Sequence, residues 1–209
     1  MTRVDPGIEP GDGPDAAADQ AGTPADGAAP RGDSGAAVAA GVAKHVLDVP
    51  DFPEPGVTFK DLTPLFADPD GFRHVIDAVV EHHGPDSFDV VAGIEARGFV
   101  IAAAVAYATG TGVVPVRKAG KLPRRTISAS YSLEYGTATL EVHEDAFHRG
   151  ERVLVVDDVL ATGGTAEATL QLVERAGGRV AGFSVLLELG FLHGRQRLAP
   201  RQVHALLTV

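Results

Sequence analysis

The chain has 209 residues, 44% of them hydrophobic, with no Cys and a formal net charge of −10. That is enough apolar material for one domain-sized core. The missing Cys excludes disulfides, thiolate metal sites and a cysteine nucleophile, and is compatible with a reducing cytoplasm; the acidic balance argues against a nucleic-acid-coating protein, and no apolar run reaches the roughly 18 residues that would cross a membrane.

The charge is uneven along the chain. Residues 1–43 hold seven acidic residues against two Arg, are dominated by Ala, Gly and Pro, and contain no aromatic residue and no Leu. Such a stretch cannot bury enough surface to offset its ordering entropy, so it is expected to be a disordered tail, and it lacks the basic start and apolar stretch of a secretory signal. The folded domain is expected over residues 44–209.

From there, helical and strand-like patterns alternate. A helix is expected over 71–83, a strand at "FDVVAGI" (88–94), a helix over 98–110 and a strand over 112–117. Residues 118–145, rich in basic and hydroxyl side chains, read as a long mobile loop followed by a returning strand, "TATLEV", and connections of this length often serve as lids; a solvated surface hairpin is the plainer reading. Then come a strand over 152–158, a helix over 165–177, a strand over 181–189 and an edge strand in "VHALLTV". Near-continuous apolar strands separated by helices indicate an α/β fold with a mostly parallel sheet covered on both faces.

The chemistry concentrates in "VLVVDDVLATGGTAEA" (153–168). In an open parallel sheet, ligands bind beyond the carboxyl ends of the strands, and Asp157 and Asp158 sit at such an end. Ala161 to Thr165 follow with small residues, free backbone N–H groups and two hydroxyls leading into a helix N-terminus, which makes an anion cradle. No Lys follows the glycines as a triphosphate loop requires, so the cradle suits a phosphate monoester. Two acids just before it can accept hydrogen bonds from a sugar diol or face Mg²⁺ through water. Phosphate, diol and metal together describe a ribose 5-phosphate. The plainer alternative is that one Asp caps a turn while the other is merely exposed. The eight His are scattered and none is assigned catalysis; the pair in "HEDAFH" (143–148) is spaced one residue too far for the zinc-binding helix pattern.

This stretch resembles the binding signature for 5-phosphoribosyl 1-diphosphate (PRPP) of the type I phosphoribosyltransferases. "DFPEPGVTFKDLTPLFADPDGF" (51–72), "GIEARGFV" (93–100), "VPVRKAGKLP" (114–123) and "YSLEYGTATLEVHEDA" (131–146) resemble, in order and spacing, the adenine-specific branch of that family. The resemblance runs from about residue 45 to the end. It implies the type I fold, a mostly parallel twisted sheet with helices on both faces, a small hood and a flexible lid loop. It also implies transfer of the ribose phosphate of PRPP to adenine, giving AMP and pyrophosphate with Mg²⁺, by a cytoplasmic homodimer that engages neither nucleic acid nor membrane.

Carried over residue by residue, the resemblance implies that Ala161, Thr162, Gly163, Gly164 and Thr165 hold the 5-phosphate and that Asp157 and Asp158 serve the ribose hydroxyls, with Mg²⁺ nearby held mainly by PRPP and water. Arg97, Arg117, Lys118 and Lys121 would hold the diphosphate, Phe59 would stack on adenine opposite Val159, and the backbone around Val57 and Lys60 would read the base edge. Glu134 would handle a proton at the purine, Tyr135 would help close the lid, and a cis peptide is expected at Glu95–Ala96. Read without the resemblance, Phe59 would be a packing residue and Glu134 a solvated one. A PRPP-sensing regulator without turnover, or the same chemistry on another purine, are the competing functions; no DNA-binding module or basic face supports the first.

Overall fold

The computed structural model describes residues 35–132 and 137–209, with the backbone alone described at Ser132. Helix α1 (Gly35–His45) leads into a two-stranded antiparallel hairpin of β1 (Leu47–Pro50) and β2 (Thr58–Asp61), the small hood. Helices α2 (Thr63–Ala67) and α3 (Pro69–His83) follow. Asp68 sets the start of α3: its carboxylate accepts from the Gly71 N–H at 2.9 Å, and Pro69 supplies a helical φ at the first position.

The main sheet is built from β3 (Val90–Ile94), α4 (Arg97–Thr109), β4 (Gly112–Lys118), β5 (Thr126–Ser132), β6 (Thr137–His143), β7 (Arg152–Leu160), α5 (Gly164–Arg175), β8 (Arg179–Glu188) and β9 (His204–Thr208). Between β8 and β9 lie a 3₁₀ turn (Gly190–Leu192) and α6 (Gly194–Leu198). The strand order is β5-β6-β4-β3-β7-β8-β9, with β4 through β9 parallel and β6 and β5 antiparallel at one edge.

Sequence alternation explains the two cores. In β7, Val153 and Val155 pack with Leu170, Leu172 and Val173 of α5, while Leu154 and Val156 pack with Ile101 and Val105 of α4. Strand side chains point alternately to opposite faces, so a fully apolar strand must be covered twice. The chain leaves β3 toward β4 and leaves β7 toward β8, on opposite sides, so β3 and β7 are neighbours at the switch point of the sheet. Their carboxyl ends open one crevice.

Two expectations need correction. The tail was expected to reach residue 43, but residues 35–43 belong to α1, where Val38 and Val42 are 8% and 0% exposed. The isolated segment is too Ala/Gly-rich to read as a core helix; packing against α3 and β9 is what orders it. Likewise 126–132 is a strand, β5, paired along its whole length with β6 and not part of a loop. Ile127 and Tyr131 pack against the core, Ala129 is inside it, and Arg175 of α5 donates to the Ser128 carbonyl at 2.7 Å. Basic and hydroxyl composition hid its period of two. The turn before it is stapled by Glu141, which is 6% exposed and accepts from the Lys121 and Leu122 N–H groups at 3.1 and 3.0 Å.

Candidate active site

The crevice between β3 and β7 opens into a cavity of about 440 Å³ under the hood. Val57, Phe59 and Lys60 from the hood, Arg97 and Lys118, Asp157, Asp158 and Val159 from β7, and Ala161 and Thr165 from the following turn all line it. A smaller cavity of about 80 Å³ lies inside the 161–165 turn itself. Most expected site residues thus meet in one place, although they come from four segments of the chain. Glu134 and Tyr135 lie outside the described residues.

The 161–165 turn has at Gly163 a backbone only glycine tolerates. Gly163 has φ 83°, and a Cβ there would sit 2.7 Å from the Gly194 carbonyl oxygen. It is also the residue preceding α5, so the turn delivers backbone N–H groups at the positive end of a twelve-residue helix. Gly98 plays the equivalent part across the crevice: a Cβ would come 2.9 Å from the Val156 carbonyl, so its absence lets α4 lie against β7. That approach brings Arg97 to the acids.

The two aspartates part company. Asp157 Oδ1 turns back to accept from the Asp158 N–H at 2.9 Å, bracing the strand end. Burial, and then the neighbouring charge of Asp158, push its carboxyl well above the usual carboxylate range. Asp158 is 4% exposed and its Oδ2 lies 2.6 Å from Arg97 Nε, yet this oxygen has no aligned hydrogen-bond donor among the described residues. A buried carboxylate oxygen paired in charge but short of a donor is suited to accept from a hydroxyl. Arg97 in turn holds its guanidinium 4.9 Å from the Phe59 ring centre, and Phe52 packs edge-on to Phe59 at 5.2 Å. Aromatic ring, cation and acid are one connected set.

Around the β3–α4 turn the expected cis peptide at Glu95–Ala96 is present. Glu95 gathers the cations: its Oε1 lies 2.8 Å from Lys121 Nζ, and its Oε2 accepts from the Lys118 N–H at 2.9 Å and lies 3.5 Å from Arg117 Nε. Burial would raise this carboxyl, but the hydrogen bonds from Lys121 and Lys118, with the charges of Lys121 and Arg117, outweigh it and hold it below its usual value. Lys118 lines the cavity under the hood, whereas Arg117 and Lys121 stand behind it on Glu95. Lys60 sends its side chain to Asp48 at 2.7 Å.

Sequence reasoning missed Glu95 as the organiser of these cations, and Thr58, Tyr131, Leu189 and Leu192 as cavity walls. Leu189 and Leu192 follow the carboxyl end of β8, beside β7. The rule that ligands gather at those ends, applied to every strand, would have found them.

The donor set bears on a metal. Asp157 resists ionisation and Asp158 is paired with Arg97, so the two do not form a bare carboxylate cage; they fit a Mg²⁺ ion that keeps its water and comes with substrate phosphates.

Comparison with known proteins agrees with this arrangement. The sequence model of the family described as phosphoribosyl transferase domain matches residues 63–204. The chain is 79% identical over 179 residues to the adenine phosphoribosyltransferase of Salinispora arenicola, covering 86% of this chain and 95% of the relative. A crystal structure of adenine phosphoribosyltransferase from Rhodothermus marinus superposes with a TM-score of 0.79 at 50% identity, over 83% of this chain and 99% of the other. The Saccharomyces cerevisiae enzyme, complexed with an imino-altritol 1,6-bisphosphate and adenine, gives a TM-score of 0.77 at 38% identity, over 82% and 99% of the two chains.

Proposed function

The chain belongs to the adenine phosphoribosyltransferase family, and on that premise we propose how its residues share the transfer of the 5-phosphoribosyl group from PRPP to adenine. The reaction is purine salvage, giving AMP and pyrophosphate. The observation that carries the assignment of roles is the single cavity that joins the phosphate turn, the acidic pair with Arg97, and the Phe59 wall.

Ala161 to Thr165 hold the 5-phosphate through backbone N–H groups and hydroxyls at the start of α5. Asp158 accepts from the ribose hydroxyls, and Asp157 fixes the strand end that presents it. Arg97 and Lys118 meet the diphosphate directly, while Arg117 and Lys121 reinforce them from around Glu95. Adenine lies between Phe59 and Val159, and the main chain of Val57 and Lys60 reads its edge, since the Lys60 side chain is engaged by Asp48. Loss of pyrophosphate leaves positive character on the ribose, so fixed charges matter: one opposite charge about 4 Å away is worth about 4 kcal/mol at an effective dielectric of about 20. Glu134 is assigned proton handling at the purine and Tyr135 closure of the site, on the family resemblance of "SLEYG". Mg²⁺ bound near Asp157 and Asp158, mainly through PRPP and water, would supply charge neutralisation for the leaving diphosphate.

We assign the working form to a cytoplasmic homodimer. Support for the second copy comes from α4, whose outward face carries Val100 and Tyr107, 45% and 92% exposed.

The Phe59→Ala variant tests the base site. Stacking on one aromatic ring is worth about 1–3 kcal/mol, so KM for adenine should rise about tenfold or more while KM for PRPP stays near its original value. An unchanged KM for adenine would make Phe59 a packing partner of Phe52.

A further inference from the structure

Outside the cavity of the site, the carboxyl end of α3 and the edge strand β9 bring three imidazoles together. One ring nitrogen each from His82, His83 and His204 lies within 4.8 Å of the other two. The His82 and His204 rings stack at 3.5 Å, and His83 stands edge-on to both at 4.8 and 5.7 Å. Ser184 Oγ, on β8 and 1% exposed, lies 2.7 Å from His83 Nε2 and 2.9 Å from His204 Nδ1. A buried hydroxyl therefore fixes the orientation of two of the three rings. A cavity of about 660 Å³ opens beside them. Arg195, which lines the same cavity, is engaged by Glu188, with Nε to Oε1 at 3.0 Å.

We propose that His82, His83 and His204 bind a divalent transition-metal ion, Zn²⁺ foremost, separate from the Mg²⁺ that accompanies PRPP. The three imidazoles offer nitrogen and no carboxylate oxygen, which selects the zinc class of ions over Mg²⁺. Three protein ligands leave a position for water, or for a group entering the adjoining cavity. Tetrahedral bonds of about 2.0 to 2.1 Å put ligand nitrogens about 3.3 Å apart, so the rings must draw in, and since the His82 and His204 planes are parallel to within 4° one of them must turn to aim its nitrogen at the ion. His82 is the exposed member and has the freedom to leave the stack and complete the site. Ser184 takes the part of the hydrogen-bond partner that orients ligating imidazoles. The ion would tie α3 to β9, a strand paired on one side only, and so stabilise the outermost strand of the parallel sheet.

The test uses the full chain with Zn²⁺ followed by calorimetry and thermal unfolding, and Co²⁺ followed by its visible spectrum. The proposal expects one Zn²⁺ per chain, a higher Tm in its presence, and a Co²⁺ spectrum of nitrogen ligation. Replacing an exposed His spares the fold, so His82→Ala is the decisive variant; it should weaken Zn²⁺ binding at least about tenfold, or about 1.4 kcal/mol, and keep AMP formation with Mg²⁺ unchanged. His204→Ala should weaken it as much, whereas His148→Ala, exposed elsewhere, should not. No Zn²⁺-dependent change in Tm, or Zn²⁺ binding by His82→Ala as tight as by the unaltered chain, would overturn the proposal.

Discussion

Arg97 is bound to two tasks, and separating them is the sharpest test of the site. Its ion pair with Asp158 covers a carboxylate whose side chain is only 6% exposed. The Arg97→Ala variant therefore leaves a buried charge without its partner and should lose about 1–3 kcal/mol of stability. In an Asp158→Asn background that charge is gone, so adding Arg97→Ala should cost little further stability in urea unfolding, yet it should lower turnover about a hundredfold or more relative to Asp158→Asn alone, since a charge aimed at the reacting centre is worth that much. Equal turnover of Asp158→Asn with and without Arg97→Ala would make Arg97 structural. Asp157 gives the pH dependence. Its folded pKa is raised, so its contribution is fully present below the unfolded value of 3.8 and is lost as pH rises through the folded value. Asp157→Asn keeps an oxygen for the Asp158 N–H and removes that loss; it should be more stable than the original at pH 7, with the gain vanishing toward pH 4. An equal gain at both pH values would contradict the assignment. The meeting of the acidic pair and the glycine turn at one strand end was legible because an apolar strand runs straight into them and glycines mark the turn. The pairing of Arg97 with Asp158, and the gathering of Arg117 and Lys121 on Glu95, were not, since these contacts join segments far apart in sequence.

Among the elements, the parallel strands and their crossover helices were legible because burial on both faces makes a strand apolar throughout, and turn residues punctuate the rest. Strand β5 was not, because Ile127, Ala129 and Tyr131 alternate with hydroxyl residues in a basic region. Helix α1 was lost in the composition of the tail: it forms because Val38 and Val42 find a core to enter. A truncation series follows from this. Removing residues 1–34 should leave unfolding free energy within about 0.5 kcal/mol of the full chain. Removing residues 1–43 should cost about 3–5 kcal/mol, because each buried Val contributes about 1.5–3 kcal/mol. Equal stability of the two truncations in urea would show that α1 does not hold to the domain.

At the scale of the whole molecule, the sheet order explains why one crevice collects everything. Chains leaving β3 and β7 in opposite directions open the sheet at its middle, α5 points its positive end there, and the hood brings Phe59 over the gap. The order of the sequence blocks was enough to expect this architecture, and the solved relatives share it. The distance between hood and switch point depends on packing that no local pattern encodes. The direct measurement is nucleotide formation by the full chain with PRPP, Mg²⁺ and one purine base at a time. AMP and pyrophosphate should appear with adenine and not with guanine or hypoxanthine; turnover of another base without adenine, or binding of PRPP with no product from any base, would contradict it.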